Sequence, residues 1–479
     1  MSTNPSAGSP TDVLAGREAD HLEDLFDLLG QPSLSATGDG IDACADLAAD
    51  LCVSYGFDDA VRVPTDGAPA VLARADADSG AEAPPDDVAP ESAPTVLLYG
   101  HYDVQPASPE EWTSPPFDPT VRDGPDGRRR LYARGAGDNK GQWFAHLRAV
   151  DALRATTGLP TNVVLLLEGE EESGSPSLDS VVADHADALA ADLAVVADGP
   201  IDASGRPTVL LGARGLLYVQ IDVTGPNRDL HSGNYGGPVP NPAWELVRLV
   251  GSLKDADGRV AVDGFYEDVR PPRAADREAI EALSFDAAMD AVGVDALADG
   301  PGESYGEKLL AWPTANVAGL RAGYGGEGSK TVLPASATAK LDFRLVADQD
   351  PADLYERVRR HVERHASGRC SVTVSHHGMM HPQRTPLDGP VREFAEAVTR
   401  RAWDAEPVVK PTLGGSLPTA AFERELDVPV VVLPYANSDE NNHSPDENIV
   451  LDCHRAGART TLELLRRLPR AALDSAVDR

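Results

Sequence analysis

Four glutamates, Glu168, Glu170, Glu171 and Glu172, fall within five residues directly after the aliphatic run 163–167. Five large aliphatics in a row suit a strand buried on both faces. Carboxylates gathered at the mouth of such a strand repel one another and lose hydration, so something positive is needed to hold them. Other apolar runs end in the same way. Val96-Leu97-Leu98-Tyr99 leads into Gly100-His101-Tyr102-Asp103, the run 193–197 ends in Asp198, and the run 428–433 precedes a polar loop carrying His443. Imidazoles and carboxylates arriving from separate strand ends suit a zinc or manganese site. Charge counting favours two ions: Asp138, Asp198 and Glu172 supply three negative charges against four positive, and a bridging hydroxide supplies the fourth. Asp103, two residues after His101, can accept the second ring N–H and fix the tautomer. A glutamate beside the ions but not bound to them could take a proton from the bridging water.

Such residues need a scaffold that brings strand ends together. In open parallel α/β sheets, sites gather outside the carboxyl ends of the strands. The fold class expected is therefore α/β, with a mostly parallel sheet flanked by helices. The stripe Ile41, Cys44, Ala48, Leu51, Cys52, Tyr55 predicts a helix over 40–55. Further helices are expected over 11–29, near 178–191 and 453–468, and around Trp143, Phe144 and Leu147. The pattern changes near Gly212. Leu217, Val219, Ile221 and Val223 alternate with polar residues, as do Leu341, Phe343 and Leu345, then Cys370, Val372 and Val374. Alternation marks half-exposed strands. With a helix over 351–365, these predict a smaller α+β domain inserted at 212–383. The expected layout is a disordered tail at 1–10, a catalytic domain from 11–211 and 384–479, and the insert between.

Composition sets outer limits. A chain of 479 residues exceeds what one core usually organises. The 77 acidic and 42 basic residues give a net charge of −35, a field that repels phosphate backbones and argues against nucleic acid. The charge is spread along the chain and Arg outnumbers Lys, a pattern expected of a surface hydrated at high salt. No apolar run approaches the roughly 18–20 residues that span a bilayer. The first ten residues lack the features of a secretion signal, so a cytoplasmic protein is expected. The four cysteines show no C-x-x-C spacing. Cys44 and Cys52 stand roughly 12 Å apart along a helix, beyond disulfide reach. The loop 76–94 and the histidines His376, His377 and His381 carry no derived role, and His146 is expected on a helix without one.

Six segments carry a more specific signal: G-H-Y-D-V-Q-P, R-G-A-G-D-N-K-G, L-E-G-E-E-E-S-G-S, R-D-L-H-S-G, G-S-K-T-V-L-P and G-G-S-L-P. In this order they closely resemble motifs of the carnosinase-like, cytosolic nonspecific dipeptidases, within the aminoacylase and carboxypeptidase family of dinuclear metallohydrolases. The resemblance implies two divalent ions, zinc first, with manganese or cobalt as alternatives. It implies that His101 and Asp198 hold one ion, Glu172 and His443 the other, and that Asp138 bridges them. It makes Glu171 the general base and Asp103 the residue that orients His101, and it implies a cis peptide between Asp138 and Asn139. The inserted domain becomes a ferredoxin-like lid and dimerisation domain. His231 would reach the partner subunit's site in a homodimer and stabilise the oxyanion. Arg344 would bind the substrate's carboxylate, with Thr331 and Ser416 as polar contacts and Gly414 and Gly415 allowing close backbone approach. Glu170 departs from the commoner family sequence and is expected to point away from the ions.

The activity this implies is hydrolysis of dipeptides with a free C-terminal carboxylate by a metal-bridging water activated by Glu171. An N-acyl amino acid deacylase or carboxypeptidase with the same apparatus is the alternative, since fold and metals do not separate them. A catalytically dead receptor or assembly protein on the same scaffold is disfavoured by the complete ligand set and Glu171. No nucleic-acid or membrane partner is expected.

Overall fold

The computed structural model describes residues 8–81, 93–285, 289 and 292–468. The chain divides into two compact units. The first comprises residues up to Gly212, Thr385–Lys410 and those from Ala421 onward; the second comprises Ala213–Arg384 and Pro411–Ala420. Residues 411–420, expected with the first unit, thus belong to the second. Their strand-like bridge from Leu413 to Ala213 and the hydrogen bond from the Arg214 amide to the Gly415 carbonyl tie them there.

In the first unit, eight strands form one sheet whose centre is parallel. Asn162–Glu168, Thr95–His101, Leu193–Val196 and Val430–Val432 lie side by side in that order, all running the same way. Asp59–Val63 and Ala70–Ala75 complete one edge in antiparallel fashion; Thr208–Leu210 and Val408–Lys410 complete the other. The aliphatic runs are buried on both faces, which is why they read as unbroken hydrophobic segments rather than alternating ones. The register pairs His101 with Glu168. His101, the glutamate turn and Asp198 therefore leave the sheet at a common edge.

Helices cover the sheet. Lys140–Arg154 is buried along nearly its whole length, Trp143 and Phe144 included, and packs against Leu451–Arg467. His146 lies on it, buried, with Nδ1 2.8 Å from the Thr461 hydroxyl. The helix expected over 11–29 is two, Pro10–Gly16 and Glu18–Gly30. Ser9 caps the first, its hydroxyl accepting from the Asp12 amide while Asp12 accepts from the Ser9 amide. The last residues of the expected disordered tail are thus a helix start, because capping satisfies the first-turn donors; residues 1–7 lie outside the described residues, as does most of the acidic loop, 82–92. The helix expected over 40–55 runs Ile41–Ser54, entered through Gly40 in the left-handed region, where a side chain would strike the Pro32 carbonyl. All four cysteines are free.

A smaller sheet was not foreseen. Asn448–Val450, Arg129–Tyr132 and Thr120–Asp123 pair antiparallel. It joins the segment leading to Asp138 with the segment following His443, two parts of the chain some three hundred positions apart in sequence.

In the second unit, four antiparallel strands run in the order Thr314–Ala322, Ser336–Leu345, Gly215–Thr224, Ser371–Met380. Together with the helices Pro242–Gly251 and Pro351–His365, this is the ferredoxin-like arrangement. The alternating strand residues Leu217, Val219, Ile221, Val223, Leu341, Phe343 and Leu345 form the core with Leu246, Leu249, Leu354, Val358 and Val362 from the helices. The α/β architecture expected of the whole chain is the one found.

Candidate metal site

His101 closes its strand with no side-chain exposure. The next turn brings Asp103 back beneath it. His101 Nδ1 lies 3.1 Å from the Asp103 carbonyl and 3.3 Å from its carboxylate, leaving Nε2 to face outward. The same carboxylate accepts the backbone N–H of Glu171 at 3.2 Å and of Glu172 at 3.1 Å. One buried aspartate therefore fixes both a histidine and the glutamate turn.

Asp138 stands at the centre. One of its oxygens is 3.1 Å from His101 Nε2, the other 3.1 Å from His443 Nε2. His443 Nε2 is also 3.0 Å from Glu172, and His101 Nε2 is 3.9 Å from Asp198. Two groups able to hold a cation result, His101–Asp138–Asp198 and Asp138–Glu172–His443, the ligand atoms of each lying within 4.8 Å of one another. They share Asp138, whose two oxygens serve one group each. The His443 side chain is 52% exposed while those of His101, Asp138, Asp198 and Glu172 are 12% or less, so the site opens on that side. The peptide between Asp138 and Asn139 is cis.

The electrostatics test whether cations fit. Burial, then the neighbouring Asp138, pushes Asp198 up to about 7. Burial raises Glu171 well above the usual carboxylate range, with Asp198, Asp138 and Glu172 adding to it against the pull of His101. Burial alone would raise Asp138, but the His101 and His443 hydrogen bonds hold it low. Hydrogen bonds to Asp138 and Glu172 lift His443 to about 10. Four crowded carboxylates face two imidazoles, a deficit of positive charge that divalent cations would fill. Mixed nitrogen and oxygen donors of this kind fit divalent cations. Glu171 belongs to neither ligand group. Glu170 lies against Gly67, and Glu168 is buried under the Tyr99 hydroxyl at 2.6 Å.

Some supporting residues were missed. The Asn139 side chain donates to the Ala197 carbonyl at 2.6 Å and accepts from the His101 amide at 3.2 Å, lacing two strand ends together. Fully buried Glu447 accepts the backbone N–H of Gly137 and of Asp138, both at 2.9 Å, and pairs with Arg134 at 2.6 Å. Asn139 lies within the R-G-A-G-D-N-K-G segment, which marks the position but not its two side-chain bonds. Nothing local marks Glu447, since its partners lie some three hundred residues upstream.

The remaining expected residues lie in the second unit. Leu230–His231 pairs with Val332–Leu333, and Thr331 Oγ1 is 3.4 Å from His231 Nε2. His231 Nδ1 accepts the Gly233 amide at 3.0 Å, which leaves the proton of the neutral ring on Nε2. Arg344 Nη1 donates to Ser416 Oγ at 2.9 Å, and Gly414 lies against Leu309. His377 is 2.9 Å from Gln220 and His376 packs edge-on to Tyr355, so both are accounted for without a ligand.

Residues 97–467 match the model of peptidase family M20/M25/M40. The chain is 32% identical over 365 residues to β-Ala-His dipeptidase of Homo sapiens, covering 74% of this chain and 71% of that protein. It is 30% identical over 375 residues to the Cys-Gly metallodipeptidase DUG1 of Candida albicans, covering 76% and 77%. Among solved structures, it resembles the M20 family metallo-carboxypeptidase Sso-CP2 from Sulfolobus solfataricus with a TM-score of 0.82, 35% identity, and coverage of 93% and 98% of the two chains.

Proposed function

The chain belongs to peptidase family M20/M25/M40 and is a metal-dependent hydrolase, and on that premise we propose that it cleaves dipeptides bearing a free C-terminal carboxylate. The observation that carries this reading is Asp138, with one oxygen toward each of two histidines and a further carboxylate beside each. His101 and Asp198 would hold one divalent ion, zinc first and manganese or cobalt next, Glu172 and His443 a second, and Asp138 would be shared. When bound, such ions supply Lewis acidity toward the scissile carbonyl and acidify nearby water. Glu171 takes the proton of the attacking water and returns it to the leaving amine nitrogen. Asp103 holds His101 and the Glu171 backbone in place for this. Arg344 takes the substrate carboxylate, with Ser416, Thr331 and the Gly414–Gly415 backbone as further contacts.

His231 acts in a partner subunit's site, donating from Nε2 to the developing oxyanion. A homodimer is supported by exposed apolar side chains in the second unit, Trp244 at 74% and Val247 at 50% on one helix, Val317 at 51% and Leu320 at 56% on the sheet's edge strand. Mixing Glu171→Gln and His231→Ala chains tests this. Hybrid dimers assemble one complete site, so random mixing is expected to restore about a quarter of wild-type activity; a mixture no more active than its components refutes action in trans. Among the described residues no helix is long and apolar enough to cross a membrane. We read the protein as cytoplasmic, which the free cysteines support, and its net charge of −35 as suited to high salt.

The likeness to a metallo-carboxypeptidase keeps a second reading in view, removal of C-terminal residues from longer peptides. Steady-state kinetics on dipeptides, tetrapeptides and N-acetyl amino acids separates the two. Dipeptides are expected to give kcat/KM at least ~10-fold above the other classes; tetrapeptides turned over as well as dipeptides would overturn the dipeptidase reading.

A further inference from the structure

Arg214 is 3% exposed, yet among the described residues it makes no ion pair and its Nε has no hydrogen-bond partner. A buried guanidinium without a counter-ion is costly, and such a group persists where it serves some purpose. Its remaining donors converge on one place. Nη1 donates to the Leu309 carbonyl at 2.7 Å; Nη2 donates to the Trp312 carbonyl at 2.9 Å, the Thr314 hydroxyl at 3.3 Å and the Arg344 carbonyl at 3.1 Å. Its own amide donates to the Gly415 carbonyl at 3.1 Å. Arg214 thus ties together the segment 309–314, the backbone of Arg344 and the loop carrying Ser416, all within the second unit.

The charges point the same way. Arg344 Nε is 3.6 Å from Asp342, and Asp342 also accepts from Asn316 at 3.0 Å. Two guanidiniums against one carboxylate leave the cluster one positive charge in excess, within a protein of net charge −35. Burial, then the proximity of Arg344, holds Arg214 down at about 10, still fully charged at neutral pH. An incoming carboxylate would bring the cluster to neutrality.

We infer that Arg214 is a positioning and specificity-determining residue, which aims Arg344 at the substrate's carboxylate and keeps Asp342 from neutralising it. This rests on the reading of Arg344 as the carboxylate-binding residue. The reaction itself does not require it; the preference for a free C-terminal acid does.

The measurement is the ratio of kcat/KM for a dipeptide to that for its C-terminal amide, in holoenzyme variants whose thermal midpoints are recorded. Arg214→Met is expected to lower the ratio by about 10-fold or more, chiefly through KM of the acid, with Arg214→Lys recovering part of it. Arg344→Ala should collapse the ratio, and adding Arg214→Met to it should lower it no further. Thr314→Val, which removes one acceptor of Arg214 and leaves the guanidinium in place, should lower the ratio by about 2-fold to 3-fold and decides the matter if Arg214→Met does not fold. A wild-type ratio in folded Arg214→Met, or in Thr314→Val where Arg214→Met is unfolded, overturns the inference. A wild-type ratio in Arg344→Ala overturns instead the reading beneath it.

Discussion

Replacing Glu171 by Gln is expected to lower kcat by a factor of ~10²–10⁴ while both metal ions stay bound. In free-energy terms this is about 3–5 kcal/mol of transition-state stabilisation. The amide has the shape of the carboxylate but cannot take the proton of the attacking water. The loss should therefore fall on kcat with little change in KM. Metal content should hold because Glu171 belongs to neither ligand group. Its turn should also hold, since Asp103 grips the backbone N–H rather than the side chain. Glu170→Gln is the control for the neighbouring position: its carboxylate lies against Gly67, and the variant should keep near-wild-type kcat. Metal analysis and steady-state kinetics on both variants decide the assignment. Near-wild-type turnover by Glu171→Gln would remove it.

Stripping the ions with a chelator is expected to take dipeptide hydrolysis to background, and returning a divalent cation to restore it. Titration of the stripped protein should show two equivalents bound per chain. The thermal midpoint should fall on stripping, because a ligand that binds only the folded chain stabilises it by mass action. The electrostatics give a second reason. Without cations Asp198 and Glu171 are held raised by burial first and by repulsion from the neighbouring carboxylates second, and bound cations would relieve both. Activity that survives complete removal of metal would end the mechanism.

The central sheet, and the polar residues that cluster where three of its strands end, were readable for one shared reason. A strand buried on both faces must be continuously apolar, and the polar residue that follows marks where it leaves the sheet. The runs ending at His101, at Glu168 and before Asp198 announce themselves in this way. The alternating strands of the second unit did so by the opposite pattern, one face in the core and the other not.

What tertiary structure alone decided are the pairings across long separations. Glu447 and Asp138 carry no shared pattern, and only the small sheet joining Asn448–Val450 to Arg129–Tyr132 makes them neighbours. The loop 411–420 reads as part of the chain around it, yet it packs with the second unit because Arg214 and Leu413 find it there. Arg214 itself looks like any arginine next to a glycine; its burial and its convergence of carbonyls exist only after folding. Burial periodicity is a local property, written residue by residue. Which distant groups satisfy one another is set by how the packed elements close on each other, and no window of sequence contains that.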